Sequence, residues 1–296
     1  MPDLLLSATA ADSEVSIFAA ITTDLVAEVQ RRHDLSPTAT AAVGRLATGA
    51  VLFGGALKGH ERISLAIAGE GPIGGLTADA WLLDDTTIGT RGRARNPHAD
   101  LPIDARGKFD VAGAIGKGSL HVTKSYDVGQ PYVGVVPLHS GEIAEDLAVY
   151  LANSEQIPSV VSLGVLANRD GVVAAGGILA QVLPGAGERA IARLEERART
   201  MPAVTRLISQ GLDAFGLLRA LAGDAELRSQ GSMNVRFACL CTKHKVEAAL
   251  LGLGSSDLAR MLREREETEA TCEYCRRRYT FTRAEIRALI DRLDQT

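Results

Sequence analysis

Every thiol in the 296-residue chain falls in two short stretches, FACLC with Cys239 and Cys241 and TCEYC with Cys272 and Cys275, with thirty residues between the motifs. Four thiolates in two close pairs meet the demand of a zinc ion, which takes four ligands tetrahedrally at Zn–S distances of about 2.3 Å. A Cys-x-x-Cys turn sets two sulfurs on one side of a metal; Cys-x-Cys is tighter and less usual, yet the two motifs together point to one joint centre. Cys239, Cys241, Cys272 and Cys275 are therefore the expected ligands of one zinc ion per chain. The same sulfurs are nucleophiles toward oxidants, and oxidation to two local disulfides would remove every ligand at once. A permanent staple and a redox switch are both compatible with this spacing.

Lys243, His244 and Lys245 follow the first pair and Arg276, Arg277 and Arg278 the second. Nearby cations lower a thiol's pKa, although a solvated surface explains them equally well. Four cysteines complete the metal shell without His244. The arginine run beside Tyr274, Tyr279 and Phe281 is similar to a small nucleic-acid-binding knuckle, but residues 239–296 carry eleven Lys and Arg against ten Asp and Glu, too balanced for a strong phosphate footprint. A thiol oxidoreductase using CEYC as its redox pair is a third reading. Between the motifs, Ser256 is the expected N-cap of a short helix, DLARMLREREE, that gathers Glu264, Glu266, Glu267 and Glu269 toward its C-terminal end, where the macrodipole disfavours anions. So short a helix is marginal in water. Metal coordination, worth about 10–16 kcal/mol in zinc-finger peptides, would supply much of the folding free energy of this module.

Periodicity shows what must position the cysteines. Ile17, Ala20, Ile21, Leu25, Val26 and Val29 predict a helix over 15–33, and a second follows at 37–58. After Gly59 the period moves toward two: ISLAIAG, GLTADAWL, TTIGTRGRAR, KFDVAGAIG, SLHVTKSYD and YVGVVPL read as short strands separated by Gly, Pro, Asn and Asp clusters. Residues 141–153 predict a helix, and SVVSLGVLA and VVAAGGILAQVL, joined by NRDG, a closing hairpin. Helices gathered around a block of strands make an α+β core over 1–184. Half of the residues in GERAIARLEERART, 187–200, are charged, and only Ile191, Leu194 and Ala198 trace an apolar stripe. The segment 185–232 is thus an expected helical linker of low intrinsic stability, followed by a small four-cysteine zinc domain over 233–296.

Composition narrows the function. A chain with 46% hydrophobic and 23% charged residues and a net charge of -4 is an ordinary folded protein without global attraction to phosphate backbones. Its first residues show no secretion pattern, which predicts a cytoplasmic protein with reduced thiols. The run SPTATAAVGRLATGAVLFGGALKG, 36–59, is broken by Arg45, and its uninterrupted part is too short for about 30 Å of hydrocarbon. A buried helix capped by Ser36, begun by Pro37 and stopped by Gly59 explains it without a membrane. GEGPIG, 69–74, has the letters of a dinucleotide loop, but Pro72 and the strand-like continuation favour a hairpin turn. His33, His60, His98, His121 and His139 share no recurring spacing, so no enzymatic site is expected.

Taken in order, RRHDLSPTATAAVGRLATGAVLFGGALKG, GEGPIGGL, SGEIAEDLAVYLANSEQIPS, LGVL, AAGGILAQVLPGA and the terminal RFACLC, CEYC and YTF closely resemble the redox-regulated holdase chaperones known as the thirty-three-kilodalton heat-shock protein, or chaperonin, family. That resemblance implies that reduced Cys239, Cys241, Cys272 and Cys275 hold zinc and keep the chaperone inactive. It further implies that oxidation joins Cys239 to Cys241 and Cys272 to Cys275, releases zinc, and unfolds the zinc module and the adjacent linker. The apolar surface so exposed would bind unfolding client proteins without ATP, often as a homodimer. Neither nucleic acid nor membrane is an implied partner.

Overall fold

The computed structural model describes residues 1–10, 14–104, 107–168 and 170–294; Arg169 of the expected NRDG turn lies outside them. The chain divides into two units, Met1–Ala238 and the residues from Cys239 onward. The α+β class expected from the sequence is the one it adopts.

The first unit is ordered β1 (Leu4–Ala10), β2 (Val15–Ile21), α1 (Thr23–His33), α2 (Pro37–Gly54), β3 (Arg62–Gly69), β4 (Leu76–Asp84), β5 (Thr87–Ala94), α3 (Val111–Ile115), β6 (Gly118–Ser125), β7 (Tyr132–Pro137), α4 (Ala144–Ser154), β8 (Ser159–Asn168), β9 (Gly171–Val182), α5 (Glu188–Thr200), α6 (Val204–Ser209), α7 (Ala214–Ala222) and β10 (Arg228–Phe237). Its strands form one sheet in the order β7-β6-β3-β4-β5-β10-β1-β2-β9-β8. Among the described residues, only β5 and β10 pair in parallel.

A buried apolar layer lies on each face of this sheet. On one face α2 crosses β3, β4, β5, β8 and β9. Ser36 caps it by accepting from the Ala39 amide, Pro37 occupies the first turn, and the Asp100 carboxylate accepts from the Thr38 amide and hydroxyl. On the other face α6 and α7 pack on β1, β2, β8 and β9, with α5 resting mainly against α7. Helix α2 ends at Gly54, a turn short of Gly59, and no helix among the described residues is long and apolar enough to cross a membrane.

Three segments depart from the pattern reading. Residues 15–21 are strand β2, not helix: Phe18 and Ala20 join the core beneath α2, while Ile17, Ala19 and Ile21 join the one beneath α7. A strand buried on both faces has no alternation to distinguish it from a helix. KFDVAGAIG contributes the one-turn helix α3, whose Asp110 side chain accepts from the Gly113 amide. Residues 228–237 form β10, paired with β1 over 228–234 and with β5 over its last four residues. Because β10 lies inside the sheet, the first unit runs on to Ala238, past 184 and 232.

In the second unit, α8 (Lys243–Leu251), α9 (Ser255–Glu264) and α10 (Arg283–Asp294) flank the hairpin β11 (Glu267–Thr271) and β12 (Arg278–Thr282). Its hydrophobic core consists of Leu250, Leu258, Phe281, Ile286 and Leu289. Ser256 does not cap α9; that place belongs to Gly254, with φ 85° and no side-chain bond, and Ser256 lies in the first turn. Glu264 closes the helix, whereas Glu267 and Glu269 belong to β11 and do not load its C-terminal end.

Candidate metal centre

The CEYC motif occupies the tight turn between β11 and β12. The Arg276 amide donates to the Cys272 carbonyl and the Cys272 amide to the Arg277 carbonyl, both at 2.9 Å, closing the loop around two sulfurs. Arg276 takes φ 58° to make the turn, a left-handed conformation that side chains seldom adopt. The CxC motif leads into α8, where the Thr242 hydroxyl accepts from the Lys245 amide and so fixes the chain directly after Cys241.

These two local structures bring all four expected ligands together. The Sγ atoms of Cys239, Cys241, Cys272 and Cys275 lie within 4.8 Å of one another. Cys239 is 3.8 Å from Cys272, and Cys241 is 3.3 Å from Cys275. Four ligands about 2.3 Å from one zinc centre stand about 3.8 Å apart, so the set fits a tetrahedral thiolate-bound ion. All four cysteines are free of disulfides, and Cys275 is buried.

Protons are unevenly shared among these sulfurs. Burial raises Cys241, but the Tyr279 hydroxyl, donating at 3.1 Å, and the neighbouring thiols lower it further, to about 7. Burial instead pushes Cys275 up to about 12. Cys241 is therefore the ready thiolate of the cluster, the form that both metals and oxidants take. Spacing did not reveal Tyr279 as a partner; its only sequence signal was its place four residues beyond Cys275. Of the cations singled out earlier, Arg277 is held above its usual pKa by a hydrogen bond to Tyr279 and then by the charges of Tyr279, Cys241 and Cys275. Lys243 instead pairs with Glu285 at 2.6 Å and stands over the Phe281 ring. Among the described residues, His244 is not part of the cluster.

The GEGPIG loop is a structural joint. Its Glu70, Gly71 and Ile73 amides donate to the carbonyls of Lys117, Ile115 and Ala114. A Cβ at Gly69 or Gly71 would collide with that facing backbone, so its glycines serve close packing. His121 bonds Ser119, and neither it nor the other core histidines joins a metal-type cluster among the described residues.

A sheet domain followed by a small module gathering four cysteines at one point defines a class of two-part proteins with a thiol-clasped C-terminal unit. The family model described as "Hsp33 protein" matches residues 3–282, and the chain belongs to that family. It is 39% identical to the 33 kDa chaperonin of Bacillus cytotoxicus and 40% identical to that of Bacillus cereus, in each case over 99% of this chain and the whole of the relative. The crystal structure of the 33 kDa chaperonin of Thermotoga maritima matches over the full length of both chains with a TM-score of 0.92 and 35% identity. Membership of a family named for chaperonins makes this a chaperone and not an enzyme.

Proposed function

We propose that this protein is an ATP-independent holdase whose activity is switched by oxidation of Cys239, Cys241, Cys272 and Cys275. The observation that carries the reading is the convergence of four sulfurs within 4.8 Å in a module with five buried core residues among those described. So small a core supplies at most about 3–5 kcal/mol, and structural zinc sites supply about 10–16 kcal/mol in comparable peptides. The four thiolates would hold one zinc ion, which when bound supplies a cross-link joining CxC to CxxC. Oxidation joins Cys239 to Cys241 and Cys272 to Cys275. Each bond releases two electrons, and two peroxide molecules, each reduced to water, accept the four. The module is then left without its ligands and its main stabiliser.

The order-to-disorder step extends into the helical part of the expected linker 185–232, α5 to α7, while β10 stays in the sheet. Helix α5 buries only Ala190 and Leu194, so little holds it once the neighbouring chain loosens. Detachment of α5–α7 would uncover Ala8, Ile17, Ala19, Ile21 and Ile178, a continuous apolar face of the sheet suited to unfolding clients. A homodimer in a reducing cytoplasm that turns oxidising is the expected active assembly. Zinc and thiol titration run beside a client-aggregation assay tests the switch. Peroxide with mild heat should consume four thiols, release about one zinc per chain and start aggregation suppression together. Zinc release without gain of suppression would defeat the reading.

A further inference from the structure

Helix α5 roofs a groove of about 720 Å³ in the first unit. Its floor is Val15, Ile17 and Leu221, and Leu194 points in from the roof. Along the rim stand Arg189, Arg193 and Arg197, at i, i+4 and i+8 on the helix. Arg197 lies 4.0 Å from Asp224, a solvated contact worth little, whereas Arg189 and Arg193 have no ion-pair partner among the described residues. Glu196 and Asp224 also line the groove, against three arginines, which leaves one positive charge in excess.

We propose that this groove binds a single-chain anionic amphiphile of the fatty-acid class, with its carboxylate on Arg189 and Arg193 and its hydrocarbon tail along Val15, Ile17 and Leu221. The volume falls within the range of about 300–1,000 Å³ of small-molecule sites. A peptide is the poorer occupant. Strands β1 and β2 are paired on both sides, with β10, each other and β9, so the floor has no free backbone edge to satisfy an extended chain's amides and carbonyls. An alkyl tail needs none, and guanidinium groups are suited to a carboxylate head. An occupant bound only while α5 is docked stabilises that helix by mass action.

The test uses reduced, metal-loaded, full-length protein, so that its outcome is independent of the redox switch. Dodecanoate below its micelle concentration is titrated by calorimetry, and amide exchange maps the effect. One site per chain is expected, with slowed exchange over 188–200. Arg189→Ala/Arg193→Ala should weaken binding at least about tenfold, and the corresponding double lysine variant should retain most of it. Dodecyltrimethylammonium should bind at least about tenfold more weakly than dodecanoate. Absence of binding, equal uptake of the two amphiphiles, unchanged affinity in the alanine variant, or protection away from α5 would each overturn the proposal.

Discussion

Helices α2 and α5 lie on opposite faces of the same sheet and are held by opposite means. Of the 18 residues of α2, all but Pro37 and Arg45 are buried, and its small residues let it lie against its neighbours: a Cβ at Gly44 would come within 2.7 Å of Val26 Cγ1 and 2.8 Å of Val165 Cγ2. Of the 13 residues of α5 only Ala190 and Leu194 are buried, and a groove lies beneath them. One face is closed by packing that cannot be undone locally; the other is covered by a layer whose own contacts hardly fix it. A switchable binder needs this division, because the scaffold must survive the opening of its cover.

The largest test of that contrast is removal of a sulfur. Cys275→Ser should abolish tight metal binding and unfold the cysteine module, seen as lost helix signal and rapid amide exchange over 243–294, while α2 and the sheet keep their protection. Loss of structure throughout the first unit would erase the contrast. Next come two matched truncations followed by urea unfolding. Leu46→Ala, in the fully buried stripe of α2, should cost about 3 kcal/mol, whereas Leu194→Ala, beside a space already unfilled, should cost about 1 kcal/mol and act on local opening of α5. Equal costs would mean that α5 is as firmly seated as α2.

The smallest effect concerns the closed face alone. Asp3, buried beside α1, accepts from the Asp24 and Leu25 amides at 3.0 and 2.6 Å. Burial nonetheless pushes its carboxyl up to about 6, the amide donors lowering it and the Asp24 charge raising it. With the folded value above the unfolded one, the native state holds the extra proton between roughly pH 4 and 6. The stabilisation is complete below that window and is lost as pH rises through it. Relative to Asp3→Asn, the wild-type protein should gain on the order of 1 kcal/mol between about pH 7.5 and pH 4.5; a difference that does not change with pH would show that Asp3 ionises at its ordinary value.

The metal centre was the most legible part of the sequence, because ligation demands particular residues at particular spacing and little else could explain FACLC and CEYC together. Its tuning was not legible: Tyr279 reaches Cys241 only because the β11–β12 hairpin carries it there. Ser36 and Pro37 announce the start of α2, but the carboxylate that also caps that end, Asp100, is remote in sequence. Strand β2 carries a helix-like pattern because apolar residues on both faces erase the period of two. Strand β10, with Gln230, Gly231 and Ser232 at its centre, has weak local preference for strand and owes its form to β1 and β5. The linker's charge was legible as low burial; its seat beside α7 and the groove under it were tertiary facts.

The coupling of the cysteine module to α5–α7 can be read from amide exchange on the reduced and the peroxide-oxidised protein, sampled as aggregation suppression appears. Exchange should accelerate together over 239–294 and over 188–222, while α2 and strands β3–β6 remain protected. Full chaperone activity with 188–222 still protected would contradict that coupling.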